Sequence, residues 1–262
     1  MDNNILFLDP IQILYDSNQS LIKGAVFIIN GEIKAFGEKA RALAKEKGLN
    51  PQDASEKIIA PCLVDPHSFL IDPINGESES LTSLSKKASE AGYGQLALLP
   101  NGNIWRDTPD SISGLRNQRS DLLIHFFGSF SIQGEGKELS PHADLLEHGA
   151  IGIAEANSIP PANLIRKGLL INEIGQHPLF FAPRDQEIQD NGIVREGVET
   201  LRAGWEPDPF ESETLPLSQL LVLQEQYPNS LIRLMNISTA AGVSILENSL
   251  VNPMTSVCWW NL

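Results

Sequence analysis

The stretch PCLVDPHSFL, residues 61–70, marks the point at which the pattern of the sequence changes. Before it, short apolar runs separated by turn residues predict β-strands, with one helical stretch at residues 38–47. After it, continuously apolar runs alternate with helical segments, which is typical of βα units whose parallel strands are covered on both faces. The sequence therefore predicts an α/β fold with a change of architecture near residue 60.

The chain before this stretch, residues 1–60, predicts a small β accessory layer. Apolar runs at residues 5–8 and 11–15 flank Asp9-Pro10, and GAVFII at residues 24–29 leads into Asn30-Gly31. Asn-Gly between two apolar runs is a strong signal for a two-residue hairpin turn. With a return run at residues 32–36 and a last run at 57–60, we expect a β-sandwich-like layer that carries one helix.

The chain after it, residues 61–262, predicts a TIM-like (β/α) barrel. Helices are expected, for example, at residues 82–91 and 218–226. Seven strands are expected, at residues 63–65, 95–100, 122–127, 149–154, 179–182, 231–237 and 256–260. A closed barrel of this kind has eight strands. We therefore expect a barrel that lacks its last strand. The gap would be filled either by further residues of the same chain or by another chain. A homo-oligomer is therefore one of the expected alternatives.

The composition argues against two classes of partner. The chain has 33 acidic and 19 basic residues and a formal net charge of −14. Such a surface repels both nucleic acid and anionic membranes. No apolar run reaches the length of roughly 18 residues that a membrane span needs, and the first residues, MDNNILFLDP, lack the basic segment of a signal peptide. We therefore expect a cytoplasmic protein.

Four stretches, in chain order, resemble motifs of the dihydroorotases, which belong to the amidohydrolase superfamily. Residues 61–70 resemble the Pro-Gly-aliphatic-aliphatic-Asp-x-His-x-His segment that begins the barrel in that superfamily. The other three are LPN at residues 99–101, GAIGI at residues 149–153 and NISTA at residues 236–240. The resemblance covers essentially the whole chain and implies a (β/α) barrel of the metal-dependent hydrolase type with a role in pyrimidine biosynthesis.

The resemblance also implies a metal site at the ends of the strands. His67 matches the first metal histidine, and Glu155 is the candidate for the metal carboxylate. Asn101 matches the asparagine that binds the substrate carboxylate. The residues themselves leave simpler interpretations open, since His67 can be a histidine held by a hydrogen bond at a strand end and Asn101 can be a turn residue.

Several positions depart from the family pattern. Phe69 stands at the second metal histidine, and Phe181 and Asn236 stand at the later ones. Ile71 replaces the arginine that would grip the substrate carboxylate through two parallel hydrogen bonds. Trp260 lies in a stretch where the family often has two histidines. His177 is the last histidine of the chain, so no later residue can restore an imidazole ligand.

These departures favour a dihydroorotase-like protein that is catalytically inactive, binds no cofactor and has a structural or regulatory role. By family analogy its partner would be aspartate transcarbamoylase or an active dihydroorotase. A second hypothesis is an active cyclic amidohydrolase that hydrolyses a ring C–N amide bond with zinc held by His67, Glu155 and Asp185. A third is a metal-free barrel that binds an apolar or aromatic small molecule in a pocket lined by Phe69, Phe181 and Trp260.

Overall fold

The computed structural model describes residues 4–15, 20–71, 79–116, 122–258 and 261. The chain divides into two compact units, Met1–Leu63 and Val64–Leu262. Among the described residues, no helix combines the length and the apolar character that a membrane span requires.

The first unit contains one mixed β-sheet and one helix, α1 (Gly37–Glu46). Its strands are β1 (Ile5–Ile13), β2 (Ile22–Ile29), β3 (Glu32–Phe36) and β4 (Gln52–Ile59), in the spatial order β3-β2-β1-β4. The expected hairpin joins β2 to β3, and both Asn30 and Gly31 have the positive φ angles that its turn requires. The small β layer is thus a single sheet, with Ala40 and Ala44 of α1 packed against Phe7 and Phe27 on one face.

The two runs that flank Asp9-Pro10 form a single strand rather than two. The register of β1 against β2 shifts between Leu8 and Ile11, so the strand takes up the proline in an irregular step and continues. A proline removes one ladder hydrogen bond, and bulges of this kind are where strands tolerate it.

The strands of the second unit follow the chain order in space. They are β5 (Leu63–Ser68), β6 (Tyr93–Leu98), β7 (Leu123–Phe126), β8 (Gly128–Ser129), β9 (Ile153–Glu155), β10 (Pro178–Phe181), β13 (Leu231–Leu234) and β14 (Met254–Thr255). One sheet has the order β5-β6-β7 and the other has the order β14-β13-β10-β9-β8. Only Phe127 separates β7 from β8, and its amide donates to the carbonyl of Leu98 on β6, while the Gly128 amide donates to Gly152 beside β9. When β7 and β8 are counted as one interrupted strand, the two sheets form one succession of seven strands among the described residues, with β5 and β14 at its ends.

Helices cover one side of these strands. They are α2 (Leu81–Glu90), α3 (Pro109–Arg116), α4 (His142–Glu147), α5 (Ala162–Ile171), α6 (Gln186–Gln189), α7 (Val198–Ala203), α8 (Glu211–Gln226) and α9 (Ala240–Glu247). The short strands β11 (Val194–Arg195) and β12 (Pro207–Asp208) pair with each other in a separate parallel sheet.

Side chains alternate between two cores along each strand, as the two-residue period of a β-strand requires. Leu98, Ile153 and Phe181 face the larger core between strands and helices. The opposite face brings together a smaller cluster from five strands: Ala97, Leu99, Phe127, Ala154, Ala182 and Met235. This second cluster is the interior of the barrel, and its alternation decides which residues can reach the site.

Among the expected boundaries that differ from the structure, two lie in the last part of the barrel. The last helix before β13 was expected to begin at residue 218, yet α8 begins at Glu211 and contains Pro216. Because Pro216 has no amide hydrogen, the carbonyl of Ser212 has no donor within the helix. That carbonyl accepts a hydrogen bond from the Asp185 amide instead. The last strand, expected at residues 256–260, is Met254–Thr255, and Trp259 and Trp260 lie outside the described residues.

Candidate functional site

Two adjoining cavities open where the barrel strands end. The first, called the histidine lobe, has a volume of about 910 Å³ and is lined by His67, Phe69 and Asn101 among others. The second, called the arginine lobe, has a volume of about 670 Å³ and is lined by Arg184, Arg195 and Ser238 among others. Both lobes share Ala156, Asn157, Asn236 and Cys258, so they are parts of one cleft. The carboxyl ends of the strands are where barrels of this type place their active sites.

His67 lies near the end of β5 and is engaged by a residue from the other end of the strand succession. Its Nε2 atom lies 2.7 Å from the Oγ atom of Ser256, which follows β14. The same Ser256 Oγ accepts the Asn236 amide at 3.3 Å. One imidazole nitrogen of His67 is therefore occupied by a hydrogen bond that connects the first and last described strands of the barrel.

Asn101 follows β6 and presents an unused acceptor in the histidine lobe. Its Nδ2 atom donates to Asn157 Oδ1 at 3.0 Å, while its buried Oδ1 atom has no hydrogen-bond partner among the described residues. Behind it, the fully buried Arg106 donates from Nη2 to the Asn101 carbonyl at 3.4 Å, and burial lowers the pKa of Arg106 to about 10. The guanidinium is still charged at neutral pH and helps to hold the loop that carries Asn101.

Phe69 and Ile71 occupy positions where the family resemblance implies polar residues. Phe69 is about half exposed and lines the histidine lobe. The Ile71 carbonyl accepts the Asn103 amide at 2.9 Å, so its backbone packs against the loop after β6. Gly102 permits this approach, because a Cβ atom there would lie 2.4 Å from the Ile71 carbonyl oxygen.

The arginine lobe has two guanidinium groups backed by two buried carboxylates. Arg184 Nη2 donates to Asp208 Oδ2 at 2.6 Å, and Arg195 Nη1 lies 3.1 Å from the same oxygen. Arg195 Nη2 lies 3.3 Å from Glu213 Oε2. The arginine side chains are 28% and 21% exposed, whereas those of Asp208 and Glu213 are 4% and 2% exposed. The two arginines therefore border the cavity and Glu213 lies behind them, while the nearly buried Asp208 also forms part of the cavity wall.

Glu213 also fixes the loop after β13. Its Oε2 atom accepts hydrogen bonds from the Ser238 amide at 2.8 Å and from the Ser238 hydroxyl at 2.6 Å. Its Oε1 atom accepts hydrogen bonds from the Thr239 amide at 3.1 Å and from the Thr239 hydroxyl at 2.6 Å. The hydroxyl residues of the NISTA stretch thus join the strand end to α8. Four hydrogen bonds and the nearby Arg195 satisfy a carboxylate that burial alone would make costly.

Glu155, expected beside His67 as a metal ligand, lines neither lobe of the cleft in the structure. On β9 the neighbouring Ala154 faces the barrel interior, so the two-residue period points Glu155 toward the helices. Its Oε2 atom accepts from the Ser131 amide at 3.1 Å and hydroxyl at 2.7 Å. Burial raises the pKa of the Glu155 carboxyl to about 7, against the opposing effect of the Ser131 hydrogen bonds.

The remaining candidate residues are distributed differently from the expectation. Phe181 is fully buried in the helix-facing core, with its ring 5.2 Å from that of Phe130, so it does not line the cleft. Asn236 does line both lobes and accepts from the Cys258 thiol at 3.2 Å. Asp185 caps α6 by accepting the amides of the second and third residues after it. Trp260 lies outside the described residues.

Sequence relatives of the chain include dihydroorotases and a probable dihydroorotase-like protein. The chain is 28% identical over 232 residues to a probable dihydroorotase-like protein of Synechocystis sp., and the matched region covers 78% of this chain and 52% of that protein. It is 25% identical over 228 residues to a dihydroorotase of Ruminiclostridium cellulolyticum, and the matched region covers 86% of this chain and 52% of that protein. The chain is a relative of the dihydroorotases.

This dihydroorotase relative spans about half the length of the proteins it matches. No protein-family model matches it. Among solved structures, it resembles a Saccharomyces cerevisiae dihydroorotase in complex with 5-fluoroorotic acid, with a TM-score of 0.52, 16% identity and coverage of 76% of this chain and 56% of that one. It also resembles the Helicobacter pylori aminofutalosine deaminase, with a TM-score of 0.50, 13% identity and coverage of 97% and 69%. These likenesses concern the fold and confirm the predicted α/β fold of the TIM-barrel type.

The cleft of this dihydroorotase relative does not fit the zinc that its resemblance implies. A catalytic zinc takes three protein ligands and keeps one open position. Within the described ranges, no group of three His, Cys, Asp or Glu side chains could hold a metal ion. All five histidines of the chain lie in those ranges, and His67 alone among them lines either lobe. The inward-facing residue after β10 is Ala182, which has no ligand atom in its side chain.

Sequence reasoning missed the arginine lobe. Arg195, Asp208 and Glu213 are far apart from Arg184 in the sequence and form no recognisable motif. The Ser-Thr pair of NISTA was the one available signal, since two adjacent buried hydroxyls and amides need an acceptor. Nothing in the sequence indicated that Glu213 would be that acceptor.

Proposed function

We propose that this chain is a dihydroorotase-like protein that does not hydrolyse dihydroorotate, and that it has a structural or regulatory role in pyrimidine biosynthesis. The observation that carries the proposal is the set of residues that stand where the resemblance implies metal ligands in the cleft. His67 Nε2 is hydrogen bonded to Ser256, while Phe69 and Asn236 stand at two other positions where the resemblance implies histidines. The resemblance implies that the reaction needs a metal, and these groups do not supply its ligands.

The cleft retains features of a ligand site. Its two lobes are lined by polar groups that come from the ends of different strands, including the unpartnered Asn101 Oδ1 atom. Concave sites with a few convergent polar groups are the usual places where barrels bind small molecules. The proposal therefore includes a bound small molecule that regulates the protein or stabilises it.

A turnover assay with a matched pair of variants tests the proposal. The purified chain is incubated with dihydroorotate, with and without added zinc, and product is measured in both reaction directions. We expect no turnover above the rate without protein, and no difference among wild type, His67→Ala and the control His177→Ala, a histidine outside the cleft. Zinc-dependent turnover that His67→Ala abolishes and His177→Ala leaves intact would overturn the proposal in favour of an active amidohydrolase with an altered metal site.

The partner is a further part of the proposal and rests on family analogy. We propose that the chain acts in the cytoplasm beside aspartate transcarbamoylase or an active dihydroorotase. Mixing the purified chain with each enzyme from the same organism and measuring the mass of the complex tests this. A complex of defined stoichiometry is expected with one of them, and separate elution from both would contradict this part of the proposal.

A further inference from the structure

The arginine lobe holds two guanidinium groups in fixed positions at the edge of a cavity. Arg184 donates from Nε to Gln189 Oε1 at 3.0 Å in addition to its bond with Asp208. Arg195 donates from Nη1 to Ser212 Oγ at 2.8 Å and from Nη2 to Ser238 Oγ at 2.8 Å. Because these contacts already order both long side chains, a ligand that binds them loses little further side-chain entropy.

Each guanidinium keeps a donor that the surrounding chain does not use. Within the part of the chain that the structure describes, Arg184 Nη1 and Arg195 Nε have no hydrogen-bond partner. Both residues line the cavity of about 670 Å³, together with Asn157 and Asn236. Planar guanidinium groups with free donors match the geometry of an oxyanion.

The charges favour one class of anion. Burial and then the positive charge of Arg184 lower the pKa of Arg195, so the two cations lie close enough to repel each other. An anion beside both would relieve that repulsion. Asp208 and Glu213 already balance the two positive charges, and the whole chain has a net charge of −14. A doubly charged phosphate would therefore meet more repulsion than a singly charged carboxylate does.

We propose that the arginine lobe is a binding site for the carboxylate group of a small molecule, with Arg184 and Arg195 as its donors. The inference rests on the ligand-binding part of the proposed function and names the ligand class. The family resemblance implies a carboxylate-binding arginine at the position of Ile71, and the proposed site would serve the same purpose. It lies at the ends of β10 and β11, however, rather than after β5. The shared residues Asn157 and Asn236 would let the rest of the molecule extend toward the histidine lobe.

Calorimetric titration with simple carboxylates tests the inference. The probes are the monocarboxylates propionate and butyrate, with butyramide as the uncharged analogue and inorganic phosphate as the alternative anion. We expect the carboxylates to bind wild type more tightly than either comparison compound. Arg184→Gln should weaken that binding by about tenfold or more, because the charge-assisted hydrogen bonding from Arg184 Nη1 is lost. Arg202→Gln removes the same charge from an exposed arginine outside the lobe and should leave the affinity unchanged.

Three results would overturn the inference: no carboxylate binding by wild type, equal loss in Arg184→Gln and Arg202→Gln, or tighter binding of phosphate than of the carboxylates. Arg184→Lys keeps the charge but loses the planar fork, so it should retain part of the affinity. Circular dichroism of each variant confirms that it is folded. Since no reading depends on turnover, a positive dihydroorotate assay would refute the proposed inactivity while leaving this test interpretable.

Discussion

His67 Nε2 and Ser256 Oγ, 2.7 Å apart, join the end of strand β5 to the residue after β14. The two residues are separated by 189 positions in the sequence. In the family pattern that His67 resembles, this imidazole would bind a metal ion. Here it serves instead as a cross-link between the two outermost described strands of the barrel.

The first prediction concerns this cross-link. His67→Ala should lower the free energy of unfolding by about 1 kcal/mol, since it removes one partly buried hydrogen bond. Ser256→Ala should lower it somewhat more, since it also removes the acceptor of the Asn236 amide. The double variant should cost less than the sum of the single ones, because both remove the same interaction. Urea denaturation of the four proteins gives the coupling energy. Strictly additive effects would show that the bond does not contribute to stability.

The second prediction concerns pH. Burial raises the pKa of Glu155 to about 7 from the ordinary glutamate value of 4.5. The folded state therefore favours the protonated form, so the contribution is fully present below about pH 4.5 and is lost as the pH rises through about 7. Across that window the loss is on the order of 2–3 kcal/mol. Glu155→Gln should flatten this part of the stability profile.

Thermal or urea unfolding between pH 5 and pH 8 measures the effect. The exposed Glu147→Gln serves as the matched control and should leave the pH profile of wild type unchanged. If Glu155→Gln gave the same profile as wild type, the carboxyl would not titrate in that range.

The third prediction concerns the anchor of the strand-end loop. Glu213→Gln should lower the free energy of unfolding by roughly 2–4 kcal/mol, because an amide nitrogen would face donors and Arg195 would lose a counter-charge. The exposed Glu211→Gln on the same helix turn should change stability by less than about 0.5 kcal/mol. Chemical denaturation compares the two, and equal small effects would contradict the anchoring role of Glu213.

The fourth prediction concerns the loop that carries Asn101. Gly102 has a φ of 156°, and a Cβ atom there would lie 2.4 Å from the Ile71 carbonyl oxygen. Gly102→Ala should therefore destabilise the protein by about 2 kcal/mol or more, as backbone must move. Gly197→Ala has open space around it and is the control. A melting temperature equal to that of the control would refute the close approach.

The fold could be predicted from the sequence largely because the pattern of the chain is local. Continuous apolar runs and Asn30-Gly31 report directly on strands and a hairpin. Pro216 misled the prediction for α8, because the carbonyl it frees is satisfied by Asp185, which is 31 positions from Pro216 in the sequence. A distant donor of this kind leaves no local signal.

The site could be predicted only in part. His67, Phe69, Asn101 and Asn236 do line the cleft, because their places follow from the ends of strands that the motifs mark. Glu155 and Phe181 do not, since a shift of one residue along a strand reverses the face. The arginine lobe depends on residues from several elements that are separate in the sequence, and only the folded chain brings them together.

The zinc stoichiometry of the purified chain tests the central claim most directly, namely that the cleft of this dihydroorotase relative lacks a metal site. The protein is loaded with excess zinc, dialysed against metal-free buffer and analysed by mass spectrometry, with His67→Ala treated in parallel. We predict well below one zinc per chain for wild type and the same value for the variant. One zinc per wild-type chain, lost in His67→Ala, would contradict the account.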